Sequence, residues 1–411
     1  MSRPHDPYAA FRHVPYRWFI VSLFTMTLAT QVQAVVVGWQ IYALTKDPLA
    51  LGLIGLAEVL PFVSFALYAG HVADARDRRR VSLVSLGVLL ACAVALLAMT
   101  RAQGFLTGRG PWPIYAVIFL SGVARSFLQP ARSAMAAELV PRAQYTNAVA
   151  WRSSTWQAAA VGGPALGGLL YGFTSADVAY LAVVALMVVG VAAFMVMRYQ
   201  PLPRTPHAGS VLESLASGVR FVRHQPVILG AMSLDLFSVF LAGSEALLPV
   251  FAAEILHVGP QGLGVLRAAP AAGAVLTSVW LAHRPPMQRA GRDMLLAVAL
   301  FACCIIGFGL SRSFVLSLLL LAVSGMADNV SVVIRSTLLQ TMTPPEMLGR
   351  VSSVNQIFIG SSNELGAFES GVAARLLGTV PAVVLGGIAS LGVVGVVAAK
   401  VPALRRLREL A

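Results

Sequence analysis

The stretch YAGHVADARDRRRVSL, Tyr68 to Leu83, sets two aspartates, four arginines and a histidine between two long apolar runs. Charge is scarce elsewhere. Of 411 residues, 57% are hydrophobic and 11% are Asp, Glu, Lys or Arg, and the mean hydropathy is +0.77. That much apolar surface exceeds what the interior of a water-soluble chain can hide, so lipid is the solvent for most of it. The charged stretch then reads as a polar joint between two membrane spans.

Working outward from that joint, apolar runs of about 20 residues recur along the chain, each long enough to cross a bilayer as a helix. Twelve are expected, over 17–44, 49–73, 81–100, 113–138, 144–172, 175–197, 226–252, 262–283, 292–311, 314–339, 350–377 and 380–401. Helices are the only economical reading. An unpaired backbone is too costly in hydrocarbon, and a barrel strand would alternate over only about ten residues. The first run is too long for the apolar part of a signal peptide and no small-residue cleavage site follows it, so it is expected to remain as the first span.

The ends of the spans orient the chain. If the N-terminus is cytoplasmic, twenty Lys and Arg residues fall on the inside, among them Arg12, Arg17, Arg76, Arg78, Arg79 and Arg80. Only Lys46, Arg101, Arg109 and Arg312 fall outside. Such a bias places both termini in the cytoplasm of a bacterial-type inner membrane.

Several chemistries find no residues to carry them. Cys92, Cys303 and Cys304 all lie within apolar runs, as packing residues and not as a disulfide framework or metal cluster. Neither of the two lysines, Lys46 and Lys400, follows a glycine, so no ATP-binding phosphate loop is present, and there is no HExxH or GxSxG. No metal site, cofactor or enzymatic activity is expected. The basic balance is explained by topology, not by nucleic acid.

An internal repeat sets the architecture. A shift of 203 residues puts Ser121 on Ser324, Gly122 on Gly325, Arg132 on Arg335, Pro141 on Pro344, Gly163 on Gly366 and Gly168 on Gly371. Two six-helix halves follow, 1–198 and 226–411, with the binding site expected at their interface. Residues 199–225 join them as a proline-rich linker and a short amphipathic helix expected to lie in the membrane interface plane, on which Val211, Leu212, Leu215, Val219 and Val222 share a face.

The opening stretch also carries a signature. Gly70, Asp74, Arg78 and Arg79 in GHVADARDRR resemble the loop between the second and third helices of the major facilitator superfamily, whose fold has twelve helices in two pseudo-symmetric bundles. The resemblance implies that the glycine permits close helix approach and that Asp74 meets the N-terminal end of the eleventh helix in one state, where the helix dipole favours a carboxylate. Asp77 stands where the general pattern has a second glycine. An acidic residue there, with LLQTMTPPEMLGR at Leu338–Arg350, is similar to the enterobactin-exporter branch. In the fifth span GGPALGG, with Gly163, Pro164, Gly167 and Gly168, resembles the superfamily's antiporter motif, in which proline bends the helix and glycines let a neighbour pack closely. The resemblance implies efflux, and without an ATP site the expected drive is a proton gradient.

Ionisable groups inside spans face a bundle interior or a wet cavity, because lipid exposure costs about 2.5–3.5 kcal/mol on insertion scales. In the fourth span Arg125, Gln129 and Arg132 lie at i, i+4 and i+7 on one helical face. Asp328, Ser331 and Arg335 form the corresponding stripe on the tenth, and the repeat makes Arg125 and Asp328 mates. In this superfamily spans one, four, seven and ten line the central cavity, so Arg125, Gln129, Arg132, Asp328 and Arg335 are candidate substrate-binding residues, with Gln33 and Trp39 of span one. An ion pair holding the halves together is the structural alternative. Asp235 and Glu245 on the seventh span, about 15 Å and 80° apart on an unbroken helix, and Glu364 on the eleventh are the candidate proton carriers.

The expected protein is a monomeric secondary exporter of a siderophore or other small secreted metabolite, running as a proton antiporter by alternating access. Efflux of hydrophobic drugs is the nearer alternative and a non-transporting membrane scaffold or sensor the farther one.

Overall fold

The computed structural model describes residues 6–102, 104–199, 211–283, 287 and 289–407. Among these the regular structure is helical, with no strand. Six long helices fill the first half: α1 Val14–Thr45, α2 Pro48–Ala75, α3 Arg78–Arg101, α4 Trp112–Glu138, α5 Tyr145–Phe173 and α6 Ala176–Val196. The second half holds α7 Val211–His224, α8 Pro226–Leu241, α9 Gly259–Ala282, α10 Ala290–Leu310, α11 Phe314–Met342, α12 Pro345–Leu377 and α13 Thr379–Lys400.

Ten described helical segments are long and apolar enough to cross a membrane. The two other long helices, α5 and α12, match the fifth and eleventh expected spans but are more polar. One carries Arg152, Ser153, Ser154 and Gln157, and the other Asn355, Gln356, Asn363, Glu364 and Glu369. The architecture accords with twelve spans, and the pair that falls short on apolarity consists of repeat mates.

The chain divides into two compact units, Met1–Val37 with Leu60–Ala208, and Gly38–Val59 with Gly209–Ala411. In the first, α3 packs on α4 and α6. Leu86, Leu96, Ile114, Met135, Tyr180 and Phe194 are fully buried there. The sequence dictates how closely α5 can lie on α1. A β-carbon at Gly163 would overlap the side chain of Gln31 and stand 3.2 Å from the Leu28 carbonyl, and one at Gly167 would stand 3.0 Å from the Val32 carbonyl. Pro164, also buried, removes the N–H that would bond the Ala160 carbonyl. Gly163→Val is therefore expected to force α5 off α1, at a cost of about 1–3 kcal/mol. Gly162→Ala, whose new methyl would meet only Leu28 at 3.8 Å, should be tolerated. Thermal unfolding of the two purified variants checks this.

The second unit repeats that contact. Gly366 on α12, the repeat mate of Gly163, abuts the backbone of α8, where its β-carbon would stand 2.9 Å from the Phe240 carbonyl. Val227, Leu234, Met294, Ile334, Leu338 and Val397 form a core shared by α8, α10, α11 and α13. The end of α1 and the start of α2, Gly38–Val59, group here too. Gly52 meets the backbone of Gly371, the Tyr42 hydroxyl donates to Glu254, and Asp47 pairs with Arg375 at 2.9 Å.

Three expectations change. The seventh span is not one helix. After α8 ends at Leu241, a 3-10 turn covers Ser244–Leu247 and a π turn Phe251–Ile255. Pro249 has no N–H for the Glu245 carbonyl, and Gly243 lets the broken segment approach Gly366. The 15 Å and 80° relation of Asp235 to Glu245 assumed an unbroken helix and does not hold. The linker helix α7 is docked on its own unit. Leu215 and Val222 pack in a core with Val351 and Val354, Gly218 abuts the Arg350 backbone, and Val219 is exposed. The preceding proline-rich stretch, 200–210, lies outside the described residues.

Thirdly, a β-carbon at Gly70 would meet nothing within 4 Å. Close packing is therefore not what calls for glycine there in this arrangement. The Asp74 side chain lies outside what is described. Asp77, the departure from the superfamily loop, has a local explanation. It is the N-cap of α3, accepting from the backbone N–H of Arg79 at 2.8 Å and of Arg80 at 3.4 Å.

Candidate functional site

Two of the four arginines of the loop, Arg78 and Arg79, make contacts beyond it. Arg78 pairs with Glu138 at the end of α4, and Glu138 also accepts from the Tyr199 hydroxyl. Arg79 donates to the Met195 carbonyl at 2.7 Å, satisfying one of the orphan carbonyls at the C-terminus of α6. Together they tie the start of α3 to the ends of α4 and α6.

Deeper in the second unit, three of the predicted ionisable residues come together. Arg335 on α11 forms an ion pair with Asp235 on α8, and the two residues are only 3% and 8% exposed. Asp328, two turns earlier on α11 and half-buried, lies within electrostatic reach of both, and of Glu245, which is exposed in the 3-10 turn. Two carboxylates thus share one guanidinium. The cluster has one excess negative charge when both are ionised and is neutral when one holds a proton.

The repeat mate of Arg335 meets a different neighbour. In the first unit Arg132 on α4 and Arg152 on α5 lie within electrostatic reach of each other, both half-buried. Neither forms an ion pair with a carboxylate among the described residues. Arg152 also influences Tyr16, whose hydroxyl donates to the Ala148 carbonyl. Among the described residues no carboxylate pairs with either, so the two arginines make a place that an anionic group would neutralise. Arg125 is half-buried on the same helix and Gln129 is exposed. Gln33 on α1 has its carbonyl oxygen buried with no hydrogen-bond partner among the described residues.

The remaining candidates are dispersed. Trp39 is half-buried on the part of α1 that groups with the second unit, and Glu364 is half-buried on α12 with its carbonyl against Gly55. Gly168, like Gly163 and Gly167, is buried on α5. Sequence reading missed Arg152 as a partner of Arg132. The signal was available, because α5 is polar around Arg152 in a chain where span polarity is rare.

Comparison with known proteins agrees with this fold. Residues 5–410 match the transmembrane secretion effector family. The enterobactin exporter EntS of Shigella dysenteriae is 27% identical over 350 residues, covering 83% of this chain and 81% of that one. Macrolide efflux protein A of Streptococcus pyogenes is 22% identical over 347 residues, 81% of this chain and 83% of that one. Among solved structures, the nucleoside transporter NupG superposes with a TM-score of 0.71 over 94% of this chain and 98% of its own, at 13% identity, a likeness of fold alone. A bacterial homolog of the human lysosomal transporter Spinster gives 0.68 over 99% and 98%, at 14% identity. The protein is a membrane transporter and not an enzyme. With a helical membrane fold, a matched pair of half-chain repeats and a family match over nearly its whole length, this chain belongs to the transmembrane secretion effector family of major facilitator exporters.

Proposed function

We propose that this chain exports a siderophore or another small secreted metabolite from the cytoplasm, by proton antiport through alternating access of its two halves. The observation that carries the reading is the buried Asp235–Arg335 pair with Asp328 beside it. Asp235 is committed to its arginine, so Asp328 is the carboxylate left to take up and release a proton during the cycle. The arginine pair at Arg132 and Arg152 gives the cargo an anionic point of attachment, and Gln33 offers a hydrogen-bond acceptor. The arginine bias of the joints supports cytoplasmic termini.

Efflux of an apolar drug is the second reading, favoured by the macrolide efflux relative. Flux in proteoliposomes separates the two. A pH gradient across the vesicle should drive a siderophore such as enterobactin, and a macrolide should neither move nor compete. Macrolide transport at the higher rate, with no siderophore movement, would reverse the assignment.

A further inference from the structure

We infer that the second unit binds one anionic phospholipid, with an acyl chain in the groove between α8 and α13 and its phosphate at Lys400. The groove is open on one side, offers about 560 Å³, and is lined by residues from Pro226 to Phe237 and from Ala389 to Val401. That volume lies within the roughly 300–1,000 Å³ of small-molecule sites. Among the described residues Ser233 and Lys400 are its only polar side chains. Everything else is aliphatic, glycine, proline or Phe237, so an occupant must be apolar over most of its length.

The dimensions select an acyl chain. From Pro226 to Phe237, and again from Ala389 to Lys400, the helix advances eleven residues, about 16 Å. One leaflet of a hydrocarbon core about 30 Å thick is about 15 Å deep. The groove therefore runs the depth of a single leaflet and ends at a cation. It stays open along α13 because Ala389 and Gly392 contribute little or no side chain, while Gly230 on α8 lets Val401 pack close, where a β-carbon would stand 3.1 Å from that side chain. A β-carbon at Gly392 would meet nothing within 4 Å.

Charge at the mouth selects the headgroup. Lys400 is exposed, and the chain turns directly after it into the short helix Pro402–Arg405, which packs on α8 and is followed by Arg406. Arg405 and Arg406 are both exposed, as are Arg223 and His224, which immediately precede the start of α8. No acidic residue lies within 400–407. The topological bias puts this end at the cytoplasmic surface, where anionic lipids give the leaflet its negative potential. A zwitterionic lipid would satisfy the groove but not the cationic rim.

The test uses the full-length protein, delipidated in mild detergent and then given equimolar phosphatidylglycerol and phosphatidylcholine with identical acyl chains. Native mass spectrometry reads the lipid retained. Wild type should hold one phosphatidylglycerol in preference to phosphatidylcholine. Lys400→Gln should weaken that preference about fivefold, the worth of one basic residue near a charged lipid. Gly392→Leu, which fills the groove from an open position, should remove both lipids. Gly395→Leu on the same helix, equally open but outside the groove, should behave as wild type. Thermal unfolding of each variant verifies the fold. Lipid retained undiminished by Gly392→Leu, or equal retention of the two headgroups by wild type, would overturn the proposal. So would loss of lipid from Gly395→Leu as complete as from Gly392→Leu.

Discussion

Asp328→Asn is expected to abolish pH-driven export while leaving exchange of cargo for cargo intact. Asparagine has nearly the shape of aspartate but holds no titratable proton, so the α8–α11 cluster becomes neutral in every state of the cycle. Exchange does not require net proton movement and should continue. Asp235 is the poorer choice for the carrier because its charge is matched by Arg335 in a nearly inaccessible pair. Glu245 is exposed in a 3-10 turn, apart from the buried pair. The measurement is flux in proteoliposomes, with and without a pH gradient, for wild type, Asp328→Asn and Asp328→Glu, the last of which should recover part of the driven rate. Driven export at the wild-type rate in the asparagine variant would remove Asp328 from the proton path. Loss of exchange as well would return it to the cargo site that its place on the tenth span suggests.

The second large effect concerns stability. Removing Arg335 leaves Asp235 charged and out of water with no cation beside it, which costs about 3–5 kcal/mol, whereas replacing both members with uncharged groups of similar size is often close to neutral. Arg335→Gln should lower the unfolding temperature markedly and reduce the amount of protein in the membrane, and Asp235→Asn should do so less, because Asp328 stays within electrostatic reach of Arg335. The double variant should recover most of both while remaining defective in driven transport. Single variants as stable as wild type would mean that the pair is solvated in the folded protein. A double variant no better than the worse single would mean that each side chain has a separate structural partner.

These expectations mix two kinds of knowledge. The helical membrane fold, the half-chain repeat and the family resemblance were legible in the residues alone. Transfer of apolar side chains into lipid depends on local composition, and a window of about 20 residues contains it. Gly163 and Gly366 could be matched by counting, and the packing of α5 on α1 and of α12 on α8 follows from the space a missing β-carbon leaves. The intramembrane charges could be found the same way, since lipid makes each one conspicuous.

Their partners could not. Asp235 and Arg335 are a hundred residues apart, and which of several carboxylates meets which arginine depends on the rotation and depth of two helices relative to each other. Those are set by the sum of all their contacts. The repeat led to Arg125 and Asp328 as the pair to watch, yet within the second unit the buried ion pair is formed by Arg335 and Asp235, and Arg132 in the first lies beside Arg152. The seventh span shows the same limit. Helical periodicity relates Asp235 to Glu245 only if the helix is unbroken, and the break at Gly243 and Pro249 became evident once the segment was seen against α12. Hydropathy and charge act on each residue where it stands in the bilayer, whereas an ion pair is a relation between surfaces that packing alone brings into register.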